Sequence, residues 1–199
     1  MLATRVTGER FVPSTEEIHF DSATSIGIRR FRADDAEAMW AAVTESVNEL
    51  CEWMVWCKAD YSIEDSAAFV ARCASDWEVS TSYSFVIFDR EDDSFLGSIG
   101  LNRIDHAHKL ANLGYWVRTR KTRRGIASAG IGLVSRFAFN HLRLHRLEMI
   151  IPVENYASLR VAEKSGATRE GLLRKRVILD GTPRDAFIYS LVSEDLARR

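Results

Sequence analysis

Apolar residues recur along this chain in two periods, and the switches between them mark out its elements. Over residues 26–32, Ile26, Ile28 and Arg30 share one face of an extended run, which reads as a strand. Asp34 stands as an N-cap with Glu37 three residues on, the spacing of a capping box, and the helix should run to about residue 48. The aromatic stretch Leu50-Cys-Glu-Trp-Met-Val-Trp-Cys57 is too short to assign as a helix. Ser62 and Asp65 open a second helix that carries Ala68, Phe69, Ala71, Arg72 and Cys73 toward Trp77. Extended runs follow at 84–88, 95–101 and 111–117, with a hairpin turn at 91–94. Beyond Gly125 the period returns to helical, with Ile126, Ile131, Leu133, Val134 and Phe137 on one stripe to about residue 141. Residues 147–153 form a strand that Pro152 marks the exit of, and residues 155–164 a short helix with Gly166 at its C-cap. Two last strands, 173–179 and 185–192, are joined by a turn at 180–183. Residues 1–25 are polar and mixed, an irregular leader or a strand preceding the main fold. The expectation is an α+β fold with a sheet of about seven strands and about four helices, one domain over residues 26–199 after an N-terminal leader 1–25.

Composition narrows the class. The 199 residues are 46% apolar and 28% charged, enough to bury a sizeable core. Net charge is -1, so bulk electrostatics draws the chain neither to nucleic acid nor to an anionic membrane, and any bound anion needs a local site. The three cysteines, Cys51, Cys57 and Cys73, form no CxxC pair and read as reduced, buried thiols. Arg5, Glu9 and Arg10 interrupt any apolar core at the N-terminus, and the apolar runs fall far short of the ~20 residues a spanning helix needs. A cytoplasmic protein is expected. His141 and His145 are four apart, but no third ligand sits near them in sequence, and no metal site is expected.

The chemistry-bearing feature is a strand, a basic loop, Arg124-Gly-Ile-Ala-Ser128, and then a long helix. A helix N-terminus carries unpaired amides and about half a positive charge, which suits phosphate. Gly125 lets backbone approach a ligand, Ala127 leaves the next amide uncovered, and Arg120, Lys121, Arg123 and Arg124 add cations. An ordinary helix entry with solvated arginines is the competing reading. The loop is neither a Walker loop nor a dinucleotide fingerprint.

About thirty residues after Gly125, directly behind a strand, stands Asn155-Tyr-Ala-Ser-Leu-Arg-Val-Ala-Glu-Lys-Ser-Gly166. With Leu50-x-x-Trp53-x-x-Trp56, Leu96-Gly-Ser-Ile-Gly100, Leu113-Gly-Tyr-Trp116, Arg124-Gly-Ile-Ala127, Leu144-His-Arg-Leu-Glu148 and Glu170-Gly-Leu-Leu-Arg174, it makes an ordered series over residues 26 to 195. In that series the chain resembles the GNAT superfamily of acetyl-CoA-dependent N-acetyltransferases, and more closely its ribosomal-protein N-terminal (RimJ/RimL type) branch. The resemblance implies a mixed, mostly antiparallel sheet splayed in the middle, where the strand ending at Trp116, Val117 and Arg118 parts from the strand at 147–153. The coenzyme arm would pair with the exposed backbone, and its pyrophosphate would sit on the amides of Arg123, Arg124, Gly125, Ile126, Ala127 and Ser128. An amide near Val117 would polarise the thioester carbonyl. Asn155 matches the residue that bonds the coenzyme arm, and Ser158 the hydroxyl that protonates the leaving thiolate; a plain helix cap and an exposed first turn remain the alternatives. Trp53, Met54 and Trp56 would line the acceptor side or pack in the core.

Two positions depart from the pattern. Thr122 stands where the loop usually has Gln or Arg. Asn112 stands where relatives often carry Glu, which removes a general base and leaves Glu148 or a water relay. The acceptor implied is an amine, a protein N-terminus or a small molecule, with a monomer or homodimer as the assembly. A non-catalytic acyl-CoA sensor is the rival from another class.

Overall fold

In the computed structural model, residues 18–21 and 23–196 are described. Eight strands form one open sheet in the order β1-β2-β3-β4-β5-β6-β8-β7: β1 Ile18–Phe20, β2 Ile26–Arg30, β3 Tyr83–Asp89, β4 Phe95–Asp105, β5 Leu110–Val117, β6 Arg146–Pro152, β7 Thr168–Leu179 and β8 Thr182–Val192. All neighbours run antiparallel except β5 and β6. Six helices accompany them: α1 Asp35–Glu45, α2 Val47–Trp53, α3 Ile63–Val79, α4 Ile126–Asn140, α5 Tyr156–Lys164 and α6 Ser193–Leu196.

Alternation along the strands builds two cores. Phe85 and Ile87 join Ile28, Leu101, Leu113 and Leu147 under Ile131, Val134 and Phe137 of α4. Val86, Phe88 and Trp116 pack on the opposite face with Met39, Val43 and Val70 of α1 and α3. A strand buried on both faces is continuously apolar, which is why Phe-Val-Ile-Phe reads as it does. Each fully buried side chain of this kind contributes roughly 1.5–3 kcal/mol.

The fold is the α+β class expected, with one more strand and two more helices than the pattern indicated. The additional strand, β1, lies inside the stretch assigned to the leader; the rest of residues 1–17 lies outside the described residues. The first helix does not reach residue 48. It stops at Glu45 because Ser46 leaves helical geometry, is fully buried, and accepts the Thr119 amide on its Oγ at 2.9 Å. The chain then starts α2 across the stretch left unassigned.

Asp34 does not cap α1 with its side chain. Asp35, the first residue of α1, instead ties the chain leading into the helix: it accepts the Arg32 amide at 2.6 Å and two bonds from the Arg29 guanidinium at 2.7 and 2.8 Å. Asp34 itself has helical φ and ψ, so its side chain is not placed to cap the first turn. At α3 the capping box of Ser62 and Asp65 is formed in full.

Candidate active site

The site is built where two parallel strands part. β5 and β6 pair only at Leu110 with Arg146, Ala111 with Leu147 and Asn112 with Glu148. Past that point β5 continues to Val117 and β6 to Pro152 without a ladder between them. β5 is held from its other side by β4, up to Gly97 opposite Val117. Backbone groups alternate across a strand, and the Arg118 amide donates to the Leu96 carbonyl on the β4 side at 2.9 Å. The Tyr115 and Val117 amides therefore face the parted edge. An unpaired strand edge is a template for an extended, amide-bearing ligand.

The next elements after each strand begin at this same end. Residues 118–125 lead from β5 into α4, whose N-cap Gly125 sits at φ 78°. The first α4 bond runs from the Ala129 amide to the Gly125 carbonyl at 2.9 Å, so Ile126, Ala127 and Ser128 have no intrahelical acceptor. Among the described residues no side chain caps them, and no acidic residue occupies the first turn. A side chain built on Gly125 would meet nothing within 4 Å, so the approach to these amides is open. Ile126 is buried in the core, while Ala127 and Ser128 are half-buried.

Of the arginines singled out in the sequence, Arg118 is engaged elsewhere. Its guanidinium donates to Glu45 Oε2 at 2.7 and 3.1 Å, and Glu45 Oε1 accepts the Arg120 amide at 3.2 Å. Burial pushes the Glu45 carboxyl up, but Arg118 and the Arg120 amide outweigh it and hold the group below the usual carboxylate range. These bonds and the Ser46–Thr119 bond tie the loop to the end of α1. Arg123 and Arg124 are exposed and form no ion pair among the described residues, and Arg123 sits at φ 63°.

After β6, Asn155 caps α5: its Oδ1 accepts the Ser158 amide at 3.0 Å. It is buried, and its Nδ2 has no partner among the described residues. The Ser158 hydroxyl is likewise unpartnered, while the Ser158 carbonyl accepts the Tyr115 hydroxyl at 3.2 Å. That bond ties the parted end of β5 to the first turn of α5. Burial pushes the Tyr115 hydroxyl up to about 12, against the opposing effect of its bond to Ser158, so it stays protonated. Glu148 sits opposite Asn112 at the root of the parting and accepts Arg146 Nε at 2.8 Å. Arg146 also grips Glu170 on β7, and that bond holds the Glu170 carboxyl down at about 2. Asn112 donates to Asn102 Oδ1 at 3.0 Å and offers no base.

On the α1–α3 face lies a cavity of about 500 Å³. Its floor is small by register: Ser84 of β3 lies opposite Gly100 of β4, which lies opposite Gly114 of β5. Met39, Met54, Trp56 and Phe69 wall it, with Asp65 and Arg72 as its charged members. Trp56 packs against Trp116 with centroids 6.2 Å apart. Of the three acceptor-side residues expected, Met54 and Trp56 line this cavity; Trp53, half-buried at the end of α2, does not.

Sequence reasoning passed over Tyr115 as a brace and the small-residue floor. Gly-Tyr-Trp was in view as a motif, but the cross-strand register that aligns Ser84, Gly100 and Gly114 is not written in any one segment. Among the described residues, no group of three or more His, Cys, Asp or Glu could hold a metal. α4 ends at Asn140, so His141 and His145 do not share a helical face. None of the described helices is long and apolar enough to cross a membrane.

These features define an acyltransferase-type fold, and comparison with known proteins agrees. The model of the "Acetyltransferase (GNAT) domain" matches residues 25–168, and the chain belongs to that family. It is similar to the probable N-acetyltransferase YjcK of Bacillus subtilis (strain 168), 34% identical over 110 residues, 55% of this chain and 61% of that protein. The chain thus spans about three fifths of the length of that relative. Among solved structures it resembles Mycobacterium smegmatis RimJ in complex with CoA-disulfide, with TM-score 0.79, 27% identity and coverage of 86% and 83%. It also resembles the Microcin C7 self immunity acetyltransferase MccE in complex with acetyl-CoA and AMP, with TM-score 0.79, 26% identity and coverage of 84% and 92%.

Proposed function

We propose that this protein transfers an acetyl group from acetyl-CoA to an amine, in the first instance the α-amino group of a protein N-terminus. The observation that carries this reading is the parting of β5 and β6 beyond Asn112 and Glu148, beside an uncapped helix start. In this reading the extended coenzyme arm pairs with the open edge of β5. Its diphosphate lies on the amides of Ile126, Ala127 and Ser128, with Arg123 and Arg124 screening the charge. Arg118 acts at one remove, by fixing the loop to Glu45.

The amine nitrogen attacks the thioester carbonyl carbon directly. The carbonyl oxygen gains charge that the Val117 amide stabilises, the carbon–sulfur bond breaks, and the thiolate takes a proton from Ser158 Oγ. Asn155 serves first to hold that turn, and its free Nδ2 is available to the coenzyme arm. The attacking amine must be deprotonated. Asn112 cannot do this and Glu148 is held by Arg146, so a water relay out of the cleft, with Glu148 at its root, is the assignment. No acyl-enzyme is formed.

The cavity beside Trp116 is read as the acceptor site. About 500 Å³ accommodates the first residue or two of a peptide, and equally a small amine of the kind such pockets usually hold. That volume, together with the nucleotide bound in the MccE complex, favours a small-molecule amine as the second reading.

The test is coenzyme release from acetyl-CoA against a panel of peptide N-termini and small amines, with products read by mass spectrometry. Release with the acetyl group on a peptide α-amine is expected. Acetylation of small amines alone selects the second reading. Acetyl-CoA binding without release across the whole panel means a sensor rather than an enzyme.

A further inference from the structure

Acetyl transfer as described makes no use of two thiols beside the cavity. Cys51, half-buried in the last turn of α2, and Cys57, buried just beyond it, hold their Sγ atoms 2.9 Å apart. A disulfide bond is about 2.0 Å long, so the sulfurs need to close by only about 1 Å. The chain between them carries Met54 and Trp56, both of which line the cavity. Two backbone bonds fold this segment, Met54 amide to Leu50 carbonyl at 2.7 Å and Cys57 amide to Met54 carbonyl at 2.9 Å. Val55 at its tip is 82% exposed and Trp56 is exposed beside it, while Met54 and Cys57 pack into the α1–α3 core, so the segment is a surface cover anchored at both ends.

We propose that Cys51 and Cys57 are a reversible modification site, whose disulfide pins residues 54–56 over the cavity and restricts entry of the acceptor. The inference about the acceptor rests on the reading of that cavity given above. The two thiols are differentiated. Burial pushes Cys57 up to about 12, and the neighbouring Cys51 thiol adds to this, so Cys57 stays protonated and inert alone. Cys51 is the one solvent reaches. With a peroxide as oxidant, the Cys51 sulfur attacks one peroxide oxygen, the oxygen–oxygen bond breaks, and Cys51 sulfenic acid and one water result. The Cys57 sulfur then attacks the Cys51 sulfur and displaces hydroxide, which takes the Cys57 proton and leaves as a second water. Two thiols lose two electrons and the peroxide gains them. A thiol reductant reverses the bond by exchange. Cys73, buried on α3 with its thiol raised to about 11 by burial, has no cysteine partner and serves as an internal control.

The experiment treats the full chain with hydrogen peroxide, then denatures, alkylates and maps it. The peptide carrying Cys51 and Cys57 should be two hydrogen masses light and unalkylated, and Cys73 alkylated. Amide exchange at residues 55–57 should slow in the oxidised protein. Acceptor kcat/KM should fall roughly threefold or more, with acetyl-CoA affinity unchanged, because the cover and the α4 loop are separate segments. Dithiothreitol should restore activity, and Cys51→Ser should abolish both effects of peroxide. Free or over-oxidised thiols with no cross-link overturn the site, and so does a cross-link that leaves both exchange and acceptor kinetics unmoved. A reduced protein that turns over no acceptor at all fails the acetyl-transfer reading instead. The cross-link and the slowed exchange at 55–57 then still decide the modification site.

Discussion

At the scale of single residues, the chemistry rests on groups whose partners are already settled or conspicuously open. The Ser158 hydroxyl has no partner among the described residues, but its amide and carbonyl are both engaged, by Asn155 and Tyr115, so its position is fixed from two sides. Ser158→Ala should therefore lower kcat about 10²-fold while leaving acetyl-CoA affinity nearly unchanged, since an acid acts on the leaving group and not on binding. Steady-state kinetics paired with calorimetry checks this, and equal turnover removes Ser158 from the mechanism. The sequence placed Asn155 and Ser158 together by their spacing, because a capped helix start is local. It could not choose between cap and ligand for Asn155, and the structure gives Oδ1 to the cap while leaving Nδ2 open. Arg118 shows the opposite case. It read as one cation among several, and only the meeting of the loop with Glu45, which lies 73 residues away in sequence, commits it to structure.

Between elements, register decides what the cavity accepts. Gly114 faces open space, so a larger side chain there enters the cavity without displacing backbone. Gly114→Leu should raise the acceptor KM roughly tenfold, with stability and acetyl-CoA affinity held. An unchanged KM for the preferred acceptor would place that acceptor elsewhere. The clamp of β6, β7 and β8 makes a separate prediction in pH. Glu170 is drawn below its ordinary carboxylate value to about 2, chiefly by Arg146 and then by Ser190. A carboxylate with a depressed native value gives stability that is complete above about 4.5 and is lost as pH falls toward about 2. Glu170→Gln should flatten that part of the stability–pH curve, measured by denaturant unfolding between those limits. The effect should shrink in salt because the pair is partly exposed. None of this clamp was legible beforehand: Arg146, Glu170 and Ser190 stand on three strands, and no local pattern announces their alignment. The helices, by contrast, were legible where a 3.6-residue stripe was clear, as at α4, and most sharply where a capping box agreed with it, as at α3. They failed at Ser46, where a buried hydroxyl bond to Thr119 ends a helix that its own sequence would continue.

For the molecule as a whole, the decisive feature is a sheet left open in its middle. The strands at 111–117 and 147–153 carry apolar patterns that would suit full pairing, and nothing in either alone says that they meet for three residues and then diverge. Family resemblance supplied that expectation; the chain's periodicity did not. The opening has two consequences that stand or fall together: β5 amides with no strand partner, and helix starts facing the same end. Residue-resolved amide exchange, recorded with and without acetyl-CoA, examines both at once. Slowed exchange at Tyr115, Val117, Ile126, Ala127 and Ser128 on addition of acetyl-CoA is the predicted result. Saturating acetyl-CoA with exchange at those five amides unaltered would contradict it.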